Sequence, residues 1–306
     1  MSHNQLRMSF LLACTVTVLS CGSAQDEQAD HQAVEPQPPI AHEDLDATLW
    51  MQTSAEYHAL AQQAYRLAQD NLAAALQDET WSADIDQQQL LTQPSTAQPL
   101  PPAVILDVDE TVLDNSPFQA RLIRQNAGYD VEAWHRWVEE AQATAVPGAR
   151  AFIDFARAAG VTVFFVTNRE SMVERATRRN LEQLELVHPD SDDTILSKHE
   201  RDGWGTNKTT RRAFIARRYR VLLSIGDDLN DFVWVGFKPT AAARRQLAHE
   251  YRHMWGHKWI MLPNADYGGW ERALFDWDDA APASQKLEKK HSHLNTAPPE
   301  NAAAPQ

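Results

Sequence analysis

The chain has 306 residues, 43% of them apolar and 23% charged, a globular composition with length enough to bury a core in one large domain or two small ones. Collagen-like, coiled-coil and disulfide-scaffold architectures are excluded by the same figures. Lys and Arg number 28 against 42 Asp and Glu, a net charge of -14, which repels a phosphate backbone over most of the surface and sets nucleic acid aside as a partner.

In chain order, Phe10 to Leu19 form a mostly apolar run behind Arg7, too short to span a bilayer and of the size of a signal-peptide core. The run ends in Val18-Leu19-Ser20-Cys21-Gly22, which resembles the lipobox of bacterial lipoproteins. That resemblance implies a signal peptide over residues 1–20, export, and lipidation of Cys21 as the mature N-terminus; the alternative is an ordinary cleaved signal in which Cys21 is incidental. Cys14 and Cys21 are the only cysteines, so an exported mature chain has no intramolecular disulfide. Residues 21–45, rich in Gln, Asp, Glu, Ala and Pro, read as a disordered linker. Residues 281–306, with Lys, His, Ala and Pro, read as a disordered tail, which leaves one domain over 46–280.

Within that domain, Trp50, Tyr57, Leu60, Ala64, Leu67 and Leu72 recur at spacings near three and four. They predict one amphipathic accessory helix from Leu49 to Leu76. The short apolar runs Ala103 to Leu106, Val161 to Val166 and Val221 to Ile225 predict buried strands. Helical patterns lie between them, at Ala149 to Ala159 and Ser171 to Leu186, and Lys258 to Leu262 adds a late strand. Uniformly apolar strands alternating with helices imply an α/β fold with a parallel sheet covered on both faces.

In such a sheet, ligands bind beyond the carboxyl ends of the strands. The three runs lead into Asp107, Thr167 and Asp227. Asp107 and Asp109, two residues apart, point to one side of extended chain and need a proton or cation between them. Asp227 and Asp231 follow the third run, and Asp107 meeting Asp227 across adjacent strand ends makes an oxygen-only site suited to Mg²⁺. Thr167 and Asn168, with the backbone N–H groups of a helix start, suit anionic oxygens, although a Thr there serves equally as an N-cap. Lys208 opens a basic helix with Arg211 and Arg212, a pattern that also describes a solvated face.

Those four motifs, in that order, resemble the haloacid dehalogenase (HAD) superfamily of phosphohydrolases. Leu106 to Pro117, Val166 to Arg169 and Gly226 to Phe232 are similar to the class C nonspecific acid phosphatases, the bacterial outer-membrane lipoprotein acid phosphatases. The similarity continues through Trp50 to Tyr57, Trp134 to Trp137, Val146 to Ala149 and Met261 to Glu271, with two departures: Asp228, where the family commonly has Asn, and a shortened stretch around Arg217 to Arg220. The resemblance implies a HAD-like, doubly wound, mainly parallel sheet with a small helical cap or accessory region. It implies that Asp107 attacks phosphorus to form a phosphoaspartyl intermediate and that Asp109 acts as acid and then base, favouring activity below neutral pH. By the same resemblance, Mg²⁺ would be held by Asp107, Asp227 and the Asp109 backbone carbonyl, Thr167, Asn168 and Lys208 would bind phosphoryl oxygens, and Asp231 would orient Lys208 or a metal-bound water. Trp134 and Tyr267 stack on an aromatic leaving group such as the base of a nucleoside monophosphate, unless either ring is core packing. A lipid-anchored homodimer on the cell envelope completes the implied picture.

Two readings compete. His249-Glu250-Tyr251-Arg252-His253 matches the His-Glu-x-x-His pattern of zinc metalloproteases, with His257 continuing the helical face. A surface lipoprotein that only binds nucleotide is the other, since a fold does not fix a function.

Overall fold

The apolar runs that end in acidic residues form the centre of a five-stranded parallel sheet. The protein is described here by a computed structural model covering residues 41–91, 99–189 and 192–297. The predicted signal peptide, Cys21, most of the linker and the last nine residues of the tail lie outside the described residues. None of the described helices is long and apolar enough to cross a membrane.

The first helical stretch is two helices, α1 (Leu45–Thr53) and α2 (Ala55–Gln77), where periodicity predicts one. Ser54 between them is extended, and its hydroxyl accepts from the Tyr57 N–H at 3.0 Å, the N-cap geometry that serine favours over a helix interior. The buried stripe of α2 is Tyr57, Ala61, Tyr65, Ala68, Leu72 and Ala75, whereas Leu60 and Leu67 face solvent. Three alanines on that stripe let the helix lie close to its neighbours, a pattern that a search for large apolar residues overlooks.

After α3 (Ile85–Leu91) the chain enters β1 (Pro102–Leu106), then a two-stranded excursion formed by β2 (Leu113–Asp114), α4 (Ser116–Gln125), α5 (Val131–Glu140) and β3 (Thr144–Ala145). It continues through α6 (Ala149–Ala158), β4 (Thr162–Glu170), α7 (Glu174–Gln183), β5 (Ile195–Lys198), α8 (Thr209–Ala216) and β6 (Arg220–Gly226). Last come α9 (Ala241–Glu250), β7 (Trp259–Met261), α10 (Gly269–Arg272) and α11 (Ala283–Ser292). The sheet order is β5-β4-β1-β6-β7 and every pairing is parallel.

Alternation along the strands divides the core. Val104, Leu106, Phe165 and Leu222 face α2 and α6, with Tyr65, Leu72, Phe152 and Ile153 packed on them. Ala103, Ile105, Phe164 and Val166 point the other way, toward Ile215 of α8 and Trp259. Side chains of period two on strands buried on both faces require this division.

Residues 283–292 correct the expectation of a disordered tail. They form α11, which packs beside residues 273–275. The Lys290 ammonium lies 2.8 Å from Glu43 and 2.6 Å from Glu271, so charge pairs hold a helix that carries little apolar surface.

Candidate active site

Chain order reverses about β1, and the site lies beyond the carboxyl ends of β1, β4 and β6, where open α/β sheets bind ligands. Asp107 leaves β1 with its N–H on the Ile225 carbonyl at 2.9 Å, which ties it to the end of β6. Asp227 is the first residue past β6, and Asp231 closes the short turn of 3₁₀ helix that follows. One carboxylate oxygen from each of Asp107, Asp227 and Asp231 lies within 4.8 Å of the others. Gly226 makes room for this: a Cβ there would stand 2.6 Å from the Asp231 Cγ.

Lys208, buried at the start of α8, donates to Asp107 Oδ1 and, at 2.6 Å, to Asp231 Oδ1. Arg212 fastens α8 to the same loop through the carbonyls of Asn230 (3.0 Å) and Asp231 (3.1 Å). Asp227 is held on both oxygens, by the Thr111 hydroxyl at 3.0 Å and the Asn264 amide at 2.8 Å. Burial would lower the Lys208 pKa, but the carboxylates of Asp107 and Asp231 outweigh it and raise it, so the ammonium stays charged. Burial pushes Asp107 up to about 7 against the opposing pull of Lys208, and pushes Asp227 well above the carboxylate range, with Asp107 and Asp231 adding repulsion. One ammonium cannot balance three carboxylates this close and this buried, and the remaining charge calls for a cation. The donors are all oxygen, so the triad fits a hard divalent metal ion.

Asp109 stands apart from the triad. Its Oδ1 accepts from Arg169 Nε (2.9 Å) and the Asn115 amide (2.9 Å), with Arg169 Nη2 paired by charge at 2.8 Å, so its carboxylate is committed to a cationic clamp and is not among the converging metal donors. The predicted anion-binding pair also differs from expectation. β4 runs on to Glu170, so Thr167 lies in a strand and not at a helix start. Its hydroxyl accepts from the Arg169 N–H at 3.0 Å and keeps its own hydrogen to give. The Asn168 side chain is occupied at both ends, donating to the Thr206 carbonyl (3.2 Å) and accepting from Arg211 (2.7 Å), which ties β4 to the approach of α8.

Comparison with known proteins decides the family. Residues 90–270 match the family model of HAD superfamily, subfamily IIIB (Acid phosphatase). The class C acid phosphatase from Bacillus anthracis is 31% identical, with a TM-score of 0.71 over 83% of this chain and 98% of that one. The same enzyme with tungstate bound aligns at 30% identity, again with a TM-score of 0.71. The chain belongs to the subfamily IIIB acid phosphatases of the HAD superfamily.

In this acid phosphatase one aromatic candidate packs on Arg169, which holds Asp109, and the other bonds to the adjoining Glu110. One face of Trp134 is covered by the Arg169 guanidinium, 5.4 Å from the ring centroid, and the ring packs edge-on to Phe118 at 5.2 Å. The Tyr267 hydroxyl donates to Glu110 Oε2. Glu110 itself is buried in left-handed backbone (φ 54°), its carboxyl pushed well up first by burial and then by Asp109 and Asp227. Arg169, Asn115, Glu110 and Asn264 are the groups that sequence reasoning left without roles.

The zinc reading fails on geometry. α9 ends at Glu250, with Tyr251 as its C-cap, so His253 falls in the turn beyond and does not follow His249 up one helical face. His249, Glu250, His253 and His257 are all exposed, and His257 lies edge-on to Trp81 at 4.4 Å. Among the described residues the converging metal-donor group is the aspartate triad.

Proposed function

We propose that this acid phosphatase is an exported, Mg²⁺-dependent phosphomonoesterase that turns over nucleoside 5′-monophosphates through a phosphoaspartyl intermediate on Asp107. The observation carrying this reading is the placement of Asp107 within the acidic triad and against the Lys208 ammonium, with a separately clamped carboxylate two residues on. A bound Mg²⁺, for which Asp107, Asp227 and Asp231 are the ligands the triad offers, supplies positive charge beside the nucleophile and the phosphoryl oxygens.

The chain's own groups do the rest. Lys208 spends two of its three N–H donors on Asp107 and Asp231, leaving one for a phosphoryl oxygen, and the Thr167 hydroxyl hydrogen is a second donor. An oxygen of Asp107 bonds to phosphorus as the bond from phosphorus to the leaving oxygen breaks, and Asp109 gives that oxygen its proton. Asp109 then takes a proton from water as the water oxygen bonds to phosphorus and the Asp107–phosphorus bond breaks. Phosphate leaves and both carboxyls are restored. The relative seen with tungstate, an oxyanion, supports an oxyanion-binding centre here, and the half-buried Trp134 ring is the stacking partner proposed for an aromatic leaving group.

Phosphate release from adenosine 5′-monophosphate, with Mg²⁺ and after chelation, tests this reading in wild type and Asp107→Asn. The expected result is cation-dependent turnover that falls at least about 10³-fold in the variant. Chelator-indifferent turnover, or turnover that survives Asp107→Asn, refutes it. Activity in the membrane fraction that becomes soluble in Cys21→Ser supports the lipid anchor; soluble activity in both removes it.

A further inference from the structure

Arg169 is 2% exposed, and its fork is fully engaged away from the aspartate triad. Nε and Nη2 reach Asp109 Oδ1 at 2.9 and 2.8 Å, Nη2 also reaches Asn115 Oδ1 at 3.1 Å, and Nη1 reaches the Thr177 hydroxyl of α7 at 3.3 Å. Trp134 covers the guanidinium from one side. An arginine so enclosed holds another side chain in place; it does not offer a free fork to an incoming phosphate.

Asn115 completes the clamp, and its orientation is not arbitrary. Its Oδ1 accepts from the Trp137 indole N–H at 2.8 Å as well as from Arg169, so two donors fix which end of the amide is oxygen. Its Nδ2 therefore points to Asp109 Oδ1, at 2.9 Å. The Asn115 main chain is fixed too, its N–H donating to Glu110 Oε1 at 2.7 Å. Two N–H hydrogen bonds and a third guanidinium nitrogen at 2.8 Å on a single carboxylate oxygen leave that oxygen with no room for a proton of its own, whereas the other takes none of these contacts.

We propose that Arg169, seconded by Asn115, is the positioning residue that turns the Asp109 carboxyl so that Oδ2 alone carries the proton exchanged with the leaving oxygen and then with water. This rests on the acid/base reading of Asp109. Proton delivery matters most when the leaving oxygen is a poor leaving group and little when it departs as a stable anion, so loss of the clamp has a signature that general loosening of the site lacks.

The test compares kcat/KM for p-nitrophenyl phosphate and for an alkyl phosphate such as glycerol 2-phosphate, in the full chain with Mg²⁺. The variants are Arg169→Met, Asp109→Asn and Trp137→Phe, the last keeping an aromatic ring in the core while removing the indole N–H that, with Arg169, orients Asn115. Arg169→Met is expected to lose on the order of 10²-fold on the alkyl ester and about tenfold or less on the aryl ester. Trp137→Phe is expected to show the same bias, severalfold on the alkyl ester alone, and it carries the test if Arg169→Met does not fold. The inhibition constant of inorganic phosphate is expected to stay within about twofold in both, since neither side chain touches the phosphoryl group. A selective loss in Asp109→Asn beside equal losses on both esters in the Arg169 and Trp137 variants overturns the positioning role alone. Equal losses in Asp109→Asn remove the acid/base reading and this proposal with it.

Discussion

Asp228 adds a fourth carboxylate beside the triad, and Arg244 of α9 answers it. The ion pair is 3.0 Å long and mostly buried, and Asp228 also accepts from the Asn230 N–H at 2.9 Å and the Gly269 N–H at 2.8 Å. The Asp228 charge is therefore neutralised within the protein, and it fastens the Asp227 loop to the segment carrying Asn264 and Tyr267. Gly269 is needed for that approach, because a Cβ there would fall 2.8 Å from the Arg244 Cζ and 2.9 Å from Asp228 Oδ2. Arg244→Met is expected to destabilise the fold by about 2–3 kcal/mol in urea unfolding, because it strands a largely buried carboxylate. Asp228→Asn keeps an acceptor and should cost less, and the double variant should cost less than the sum of the two; strict additivity would show that the pair is not coupled. Asp107 and Asp227 were legible in the sequence because each directly follows an apolar strand, and Asp109 and Asp231 because they stand within a few residues of them. Arg169, Asn264 and Arg244 were not, because their partners lie 60, 37 and 16 residues away and only strand order brings them together.

At the scale of elements, four of the five strands of the main sheet were legible, whereas β5, the break in the first helix and α11 were not. β1, β4, β6 and β7 follow the apolar runs, since a strand buried on both faces has almost no freedom in composition. The split of α1 from α2 depended on one serine inside an otherwise helical pattern. α11 went unseen because charge holds it: Lys286 and Lys290 lie 5.0 and 5.8 Å from the Phe275 ring centroid, and Lys290 joins Glu43 to Glu271. Its largest apolar side chain, Leu287, is exposed, so no hydrophobic periodicity marks it. α11 thereby links the start of α1 to α10, close to the Tyr267 loop but outside the catalytic set. Truncation after Ala280 is expected to remove about 1–2 kcal/mol and lower Tm by on the order of 3–6 °C, with turnover at 25 °C retained. An unchanged Tm would mean that the helix contributes nothing to the domain, and a lost turnover would place it nearer the chemistry than its contacts indicate.

Over the whole molecule, the buried carboxyls make stability depend on pH in a direction opposite to that of proteins held by paired acids. Burial raises Asp107 to about 7 and Asp266 to about 6, the latter against a 2.8 Å hydrogen bond from the Thr48 hydroxyl, and it raises Asp227 and Glu110 as well. In the unfolded chain these groups titrate near pH 4. A carboxyl whose folded pKa lies above its unfolded one leaves stability intact below the unfolded value and withdraws it as pH rises through the folded value. The chelated protein should therefore be most stable near pH 4–5 and lose Tm steadily toward pH 7.5, and repulsion within a chain of net charge -14 acts in the same sense. A divalent cation binds the ionised triad and not the unfolded chain, so Mg²⁺ should restore Tm by an amount that grows with pH. Asp266 lies outside the triad, and its Oδ2 has no partner. Asp266→Asn should thus flatten the lower part of the curve, between pH 4 and 6, whether or not Mg²⁺ is present, while the cation acts on the upper part. Melting curves at half-unit intervals with chelator or Mg²⁺ separate the two. A chelated wild type that gains stability between pH 5 and 7.5 would mean that the triad holds its charge without a cation, because Lys208 alone suffices to balance it.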